Sequence, residues 1–121
     1  MELDVHPLLL APGEGETAVD RPEKTLRILA DLDDVIVTWF RYAPGEKGPE
    51  PHVHHHHTDA FYVLEGEVEF LQDGEWHRVG PGTFLSVPPN VEHGFRPCGS
   101  SFRLLNFHTP RVGFIERLRK R

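Results

Sequence analysis

The sequence predicts an all-β protein, folded as a sandwich or a barrel. The first observation is that 11 glycines and 11 prolines are scattered along 121 residues and cut the chain into short apolar segments, a pattern typical of such folds. The second is the pair Asp73-Gly74 between two alternating segments. A two-residue hairpin turn needs positive φ at both central positions and favours this dipeptide. A chain of this length suits a single domain with one core.

The strands follow from the alternation of apolar and polar residues between turn signals. We expect seven, at residues 25–30, 35–42, 61–64, 68–72, 75–79, 83–87 and 102–107. Glycine, proline, aspartate or asparagine marks the turns at 33–34, 44–45, 65–66, 73–74, 80–82 and 88–90. Residues 25–109 are therefore the expected barrel domain.

The two ends of the chain depart from this pattern. Residues 1–24 are polar and contain proline, so we expect an arm that either frays or adds an edge strand to a partner. Residues 110–121 are the only stretch whose pattern predicts a helix, with Phe114, Ile115 and Leu118 on one face. The prediction is thus an arm, a barrel and a short C-terminal helix.

Composition narrows the expected partners and location. The net charge of −6 argues against nucleic acid, which needs a basic footprint. No apolar run is long enough to span a membrane, and Cys98, the one cysteine, cannot form an internal disulfide. The acidic start and the short apolar run at 8–11 do not match a secretory signal. We expect a cytoplasmic protein with no membrane partner.

Five of the nine histidines fall within six positions, in the stretch HVHHHH that begins at His52. In an extended chain His52, His54 and His56 point to one side, and His55 and His57 to the other. We expect His55 and His57 to be exposed. Two imidazoles on one face can bind a single metal ion, and neutral imidazole suits zinc, copper, iron and nickel. An exposed polar loop with incidental metal affinity is the alternative interpretation.

Two further residues fit a metal site. Asp59 follows the histidine run and can supply a carboxylate. His93 follows the turn Pro88-Pro89-Asn90, which would swing its side chain inward and supply a ligand from a distant strand. A ligand of this kind is expected because one local segment rarely encloses an ion.

Two segments resemble the two sequence motifs of the cupin family. In HVHHHHTDAFYVLEG, the positions of the first motif fall on His52, His54, Asp59 and Gly66. In GPGTFLSVPPNVEHGF, those of the second fall on Gly82, Pro88 and His93. The resemblance covers residues 35–108, with both motifs in the expected order and separation.

The resemblance implies an antiparallel jelly-roll β-barrel that hides its sheet edges. It implies one divalent transition metal per chain (iron, manganese, nickel, copper or zinc) held by His52, His54, Asp59 and His93. It also implies a homodimer, often built by exchange of N-terminal strands such as residues 1–24. The acidic position is usually glutamate in the family. Asp59 is one methylene shorter, so either Asp59 reaches the metal or His56 takes its place.

Together these features predict a metal-binding protein that acts on a small organic molecule, most simply a dioxygenase of the quercetinase type. An isomerase or lyase, a non-catalytic binding or sensing module, and a barrel with an empty site are the alternatives. Tyr62, which could donate a proton, and His108, which shares a strand face with Asn106, are the candidate catalytic residues. Arg41 could bind an anion if its strand face lines the cavity.

Overall fold

The structure is a computed structural model that describes residues 7–111 and 113. In this part of the chain it contains nine strands: β1 (Glu16–Arg21), β2 (Lys24–Asp31), β3 (Ile36–Tyr42), β4 (Thr58–Glu65), β5 (Val68–Gln72), β6 (Glu75–Val79), β7 (Phe84–Val87), β8 (Gly94–Pro97) and β9 (Phe102–Thr109). Over the same residues, no helix has the length and apolar character needed to cross a membrane.

The strands form two antiparallel sheets. One has six strands in the order β1-β2-β3-β9-β4-β7, and the other has three in the order β6-β5-β8. A single hydrophobic cluster includes Leu26 and Leu104 from the larger sheet and Val68 and Phe95 from the smaller one. The sheets therefore enclose one core between them, and the predicted all-β fold of the jelly-roll type is confirmed.

The inner face of β9 changes from apolar to polar along the strand. In β9 every second residue is buried, in the order Phe102, Leu104, Asn106 and His108. Strand β3 runs antiparallel beside it, with Tyr42 opposite Phe102 and Ile36 opposite His108. The last two inward positions of β9 thus bring polar side chains to one end of the core.

Aromatic side chains fill the rest of the interior. The rings of Phe40, Tyr42, Phe61, Phe70, Phe95 and Phe102 contact one another with centroid separations of 5.2–6.3 Å. All six residues are buried. Burying a side chain of this size contributes roughly 1.5–3 kcal/mol, so this cluster is a main source of stability for the barrel.

All seven predicted strands are present, with ends that differ by up to three residues. Strands β1 and β8 were not predicted. β1 lies within the predicted arm 1–24, pairs with β2 of the same chain and forms an edge of the sheet. The predicted helix at 110–121 falls mostly at 112 and 114–121, outside the described residues.

Two turns require unusual backbone angles. Asp73 and Gly74 have φ of 53° and 78°, which confirms the predicted hairpin turn. Gly66 has φ of 74°, and a Cβ added there would lie 2.0 Å from the carbonyl oxygen of Ser101. Only glycine allows both this angle and this close approach of two backbones.

Candidate metal centre

A backbone pair brings the two histidine segments together. His52 and His93 form an isolated antiparallel bridge, in which the N–H of each donates to the carbonyl oxygen of the other at 2.9 Å. Residues that face each other in such a pair carry their side chains on the same side. The ring centroids accordingly lie 4.5 Å apart, although the residues are distant in the chain.

The turn before His93 is fixed by Asn90. Its backbone is left-handed, with φ of 70°, a conformation that asparagine tolerates better than most residues. The Asn90 N–H donates to the carbonyl oxygen of His54 at 2.6 Å. Its side-chain oxygen accepts a hydrogen bond from Nδ1 of His55 at 2.8 Å. These bonds join the second motif to the first beside the bridge.

Four possible metal ligands converge at this point: His52, His54, Asp59 and His93. One donor atom from each lies within 4.8 Å of the others. The ring centroid of His54 is 4.6 Å from that of His52 and 5.0 Å from that of His93. Asp59 and His93 are buried and the other two are half-buried. This donor group could hold a metal ion.

Backbone carbonyl groups orient two of the rings. Nδ1 of His52 donates to the carbonyl oxygen of Glu50 at 2.7 Å, and Nδ1 of His93 donates to that of Val91 at 2.9 Å. Because a carbonyl oxygen only accepts, a proton sits on Nδ1 in both rings and Nε2 faces the donor group. Metal-binding histidines typically make such a bond with the nitrogen that does not bind the metal.

The hydrogen-bond partners of His93 indicate whether the donor group can accommodate a cation. Nε2 of His93 lies 3.0 Å from Oδ2 of Asp59, while its Nδ1 proton already bonds Val91. A neutral imidazole has one N–H and cannot donate to both acceptors. The arrangement therefore calls for a second proton on His93 or a metal ion beside the carboxylate. Three imidazoles and one carboxylate form a donor set that fits a divalent transition metal.

Electrostatics favour an ionised Asp59. Burial opposes ionisation, but hydrogen bonds from His54 and His93, together with the nearby His108, hold the pKa of Asp59 well below its usual range. Burial also lowers the pKa of His93, but its bonds to Asp59 and Val91 outweigh burial and raise that pKa overall. Asp59 is therefore a carboxylate at neutral pH, as metal binding requires.

A chain of buried side chains holds the other oxygen of Asp59. Nδ2 of Asn106 donates to Oδ1 of Asp59 at 2.5 Å and to the carbonyl oxygen of Ala60 at 3.0 Å. Oδ1 of Asn106 accepts from Nε2 of His108 at 2.7 Å. Burial lowers the pKa of His108 to about 4, so its neutral Nδ1 accepts from Nε2 of His57 at 3.0 Å. Asp59 thus has Oδ1 bound by Asn106 and Oδ2 directed at the histidines.

Three of the four donors, His52, His54 and Asp59, line a cavity of about 520 Å³, a typical size for a ligand pocket. Its apolar lining includes Leu26, Phe40, Tyr42, Phe61 and Phe95. Its polar lining includes Lys24, His52, His54, Asp59, Asn106 and His108. A small molecule in this cavity would contact both an apolar wall and the donor group.

The candidate residues from the sequence are not all near this cavity. His56, the predicted substitute for Asp59, is exposed and is not part of the donor group. His108 lines the cavity. Tyr62 is 40% exposed. It lies on the face of β4 opposite to that of the buried Asp59 and Phe61, so the structure places it away from the candidate site.

Two other expectations also differ from the structure. His57, expected to be exposed, is only 6% exposed, because the chain bends at residues 55–57 and the strand alternation does not continue through the run. Arg41 faces away from the cavity and donates to the carbonyl oxygens of Arg21 and Pro22. Sequence reasoning also missed Lys24, whose only signal is that it alternates with Leu26.

Comparison with known proteins agrees with this architecture. A family model described as a cupin domain matches residues 38–107. The chain is 30% identical over 111 residues to a quercetin 2,3-dioxygenase of Bacillus subtilis. That match covers 90% of this chain and 31% of the relative, so the chain spans about a third of the relative's length.

Solved structures are similar over most of the chain. An RmlC-like cupin from Shewanella frigidimarina has a TM-score of 0.77 at 22% identity, covering 91% of this chain and 96% of that one. The polyketide cyclase RemF from Streptomyces resistomycificus has a TM-score of 0.65 at 27% identity, covering 92% of this chain and 81% of that one. With the cupin model matching more than half of its residues, the chain belongs to the cupin family.

Proposed function

We propose that this cupin binds one divalent transition metal per chain through His52, His54, Asp59 and His93, and that it acts on a small organic molecule. One observation carries the proposal. Donors from separate segments of the chain, brought together by a backbone bridge, lie within 4.8 Å of one another, and His52, His54 and Asp59 line a cavity. An exposed loop with incidental affinity would not have a buried carboxylate and a buried imidazole among its donors.

The chain's own residues prepare this group for a metal. The carbonyl groups of Glu50 and Val91 hold protons on Nδ1 of two rings, which leaves Nε2 as the donor atom. Asn106 holds Asp59 so that one carboxylate oxygen faces the imidazoles. When bound, the metal would supply Lewis acidity or a route for electrons. The aromatic residues that line the cavity, Phe40, Tyr42, Phe61 and Phe95, form an aromatic wall whose low dielectric strengthens electrostatic interactions beside it.

The first candidate reaction is oxidation by O₂. The quercetin 2,3-dioxygenase relative matches over 90% of this chain, which supports this choice. Among the two candidate catalytic residues, His108 is retained because it lines the cavity. It is neutral at physiological pH and holds its Nε2 proton toward Asn106. Tyr62 is left out of the proposed site.

A second candidate is a reaction without net oxidation, such as cyclisation of a polyketide-like compound. It is supported by the 27% identity to the polyketide cyclase RemF over 92% of this chain. The two candidates share the donor group and the cavity, and they differ in whether O₂ is consumed.

The test is metal analysis of protein purified without a tag, followed by oxygen-uptake assays on a panel of flavonols and diketones. We expect close to one transition metal per chain in the wild type and almost none in His54→Ala. His55→Ala, which changes the neighbouring exposed histidine, is the matched control. Less than a tenth of a metal per chain in the wild type would contradict the proposal. Metal binding with substrate conversion but no O₂ uptake would favour the second candidate.

We also propose that the protein is a homodimer. The arm carries two exposed apolar side chains, Leu8 and Leu9, which are 58% and 91% exposed, and it leads into the edge strand β1. A partner subunit would cover this apolar surface. Light scattering should give twice the chain mass of 13.8 kDa, and a monomer at micromolar concentration would contradict this proposal.

A further inference from the structure

We propose that Lys24 binds an anionic group of the substrate, so that the cavity selects a small organic anion with an apolar body. This inference rests on the proposed metal-dependent function and names the class of substrate. It is carried by the direction of Lys24, the balance of charge in the cavity and the position of the aromatic wall.

Lys24 faces the interior of the barrel. It is the first residue of β2 and alternates with Leu26 and Ile28, both of which are buried in the core. It stands opposite Tyr42 in the sheet, and its Nζ lies 5.2 Å from the centroid of the Tyr42 ring. Tyr42 is 3% exposed. An inward lysine therefore carries its ammonium group over the aromatic wall of the cavity.

The charges that line the cavity favour an anion. Among the described residues that line it, Asp59 is the one carboxylate and Lys24 is the one lysine or arginine. A divalent metal on the donor group would outweigh the single negative charge of Asp59, and Lys24 places a further cationic group in the same lining. A cleft with this balance and low-dielectric walls attracts negative ligands.

Aromatic rings connect Lys24 with the donor group. The centroid of Tyr42 is 5.4 Å from that of Phe95, which is 5.7 Å from that of Phe61. The ring of Phe61 is in turn 6.4 Å from that of His93. Lys24 and the donor group are thus separated by apolar surface. A matching ligand has an oxygen donor at one end, an anionic group at the other and an apolar body between them.

The experiment measures binding of three matched pairs that carry a phenol oxygen at the far end: 4-hydroxybenzoate, 3-(4-hydroxyphenyl)propionate and 4-(4-hydroxyphenyl)butyrate, each with its amide. The protein is full-length and is tested both loaded with Zn²⁺ and after metal removal by chelation. The variants are Lys24→Met, Lys24→Arg and, as the matched control, Lys47→Met. Lys47 is a surface lysine with 84% side-chain exposure that pairs with Glu50 and does not line the cavity. Calorimetry or ligand-observed NMR gives the dissociation constants.

We expect the wild type to bind at least one carboxylate about tenfold or more tightly than its amide. A hydrogen bond to a charged group changes the dissociation constant by about that factor. Lys24→Met should reduce this ratio to near one, whereas Lys24→Arg and Lys47→Met should retain it. The assignment is overturned if no carboxylate is preferred by the wild type, or if Lys24→Met keeps the preference. If the methionine variant does not fold, Lys24→Gln replaces it, because glutamine removes the positive charge and keeps a polar side chain, and a retained preference in that variant overturns the assignment equally.

The two proposals fail in different ways. If the wild type binds no zinc, the proposed metal-dependent function is wrong, while the carboxylate preference of the metal-free protein still depends on Lys24. If zinc binds and the preference is unchanged in Lys24→Met, the function stands and Lys24 is not the anion-binding residue. Retention of zinc in all three variants is the expected control result.

Discussion

Two neighbouring histidines of the same run have different surroundings. The ring of His54 lies 4.6 Å from that of His52, and its Nε2 is 3.4 Å from Oδ2 of Asp59. His55 is exposed and bonds the side chain of Asn90 through Nδ1 at 2.8 Å. One residue type at adjacent positions thus forms part of the donor group in one case and a surface contact in the other.

The difference shows that backbone direction, more than residue type, selects the donors. Alternation separates His52 and His54 from Val53 and His55, as an extended chain requires. The bend at 55–57 then ends the alternation, so His56 stays exposed and His57 becomes buried. Four consecutive histidines therefore have three kinds of surroundings, and each can be tested separately.

The largest expected effect is on metal affinity when His54 is removed. His54→Ala should weaken zinc or cobalt binding by more than about 100-fold, because loss of a contact outside the ligand set already costs about 10–100-fold. His55→Ala should leave the affinity nearly unchanged. Competition with a chromogenic chelator measures both. Equal losses in the two variants would mean that the run binds metal as a loop, without a selected face.

A smaller loss is expected when the support of Asp59 is removed. Asn106→Leu keeps the approximate size of the side chain and deletes the donor to Oδ1 of Asp59. Metal affinity should fall about 10–100-fold, and stability should fall by about 1–3 kcal/mol because buried partners lose their bonds. Chelator competition and urea unfolding give the two values. Unchanged affinity in a folded variant would show that Asp59 is positioned without Asn106.

Lowering the pH should weaken metal binding more gradually. The pKa of His93 is raised overall, so in the metal-free protein a proton competes with the metal as the pH falls toward and below this pKa. Displacing one proton costs up to about tenfold in affinity per pH unit. His108, with a pKa of about 4, stays neutral from pH 8 to 5.5 and adds nothing. A titration series in which affinity is constant over that range would contradict His93 as a ligand.

The smallest effect on metal affinity is expected for His57, which is buried but does not belong to the donor group. His57→Phe should lower stability by about 1–3 kcal/mol, because Nδ1 of His108 loses its donor. Metal affinity should change less than for Asn106→Leu, since phenylalanine keeps an aromatic ring beside that of His54, 4.2 Å away in the wild type, and the deleted hydrogen bond reaches Asp59 only through two intermediate side chains. His56→Phe, at an exposed position, is the control for stability. A collapse of metal binding in His57→Phe would instead make His57 part of the metal site.

Much of the fold could be predicted because its signals are local. Alternation marks β3 and β9, and Asp73-Gly74 specifies its own hairpin. Strand β1 has no such signal, since its residues are exposed or half-buried at a sheet edge. Strand β8 has four residues and ends at Pro97, so its pattern is too short to detect. Pairing with neighbouring strands, which is not local, decides both.

The residues of the candidate site were likewise predictable only where the signal is local in the sequence. Motif spacing pointed to the four members of the donor group, and alternation put Asn106 and His108 on one face of β9. The burial of His57 depends on a bend that its residue types do not specify. The direction of Lys24 could not be predicted, because alternation gives two faces of β2 and does not say which one is inside.

The reciprocal backbone bonds between His52 and His93 have a consequence for motion. Any local opening that separates these two residues also divides the donor group, with His93 on one side and His52 and His54 on the other. Slow amide hydrogen exchange at positions 52 and 93 should therefore accompany long residence of a bound ion, and both lifetimes should shorten together when this corner of the barrel is loosened.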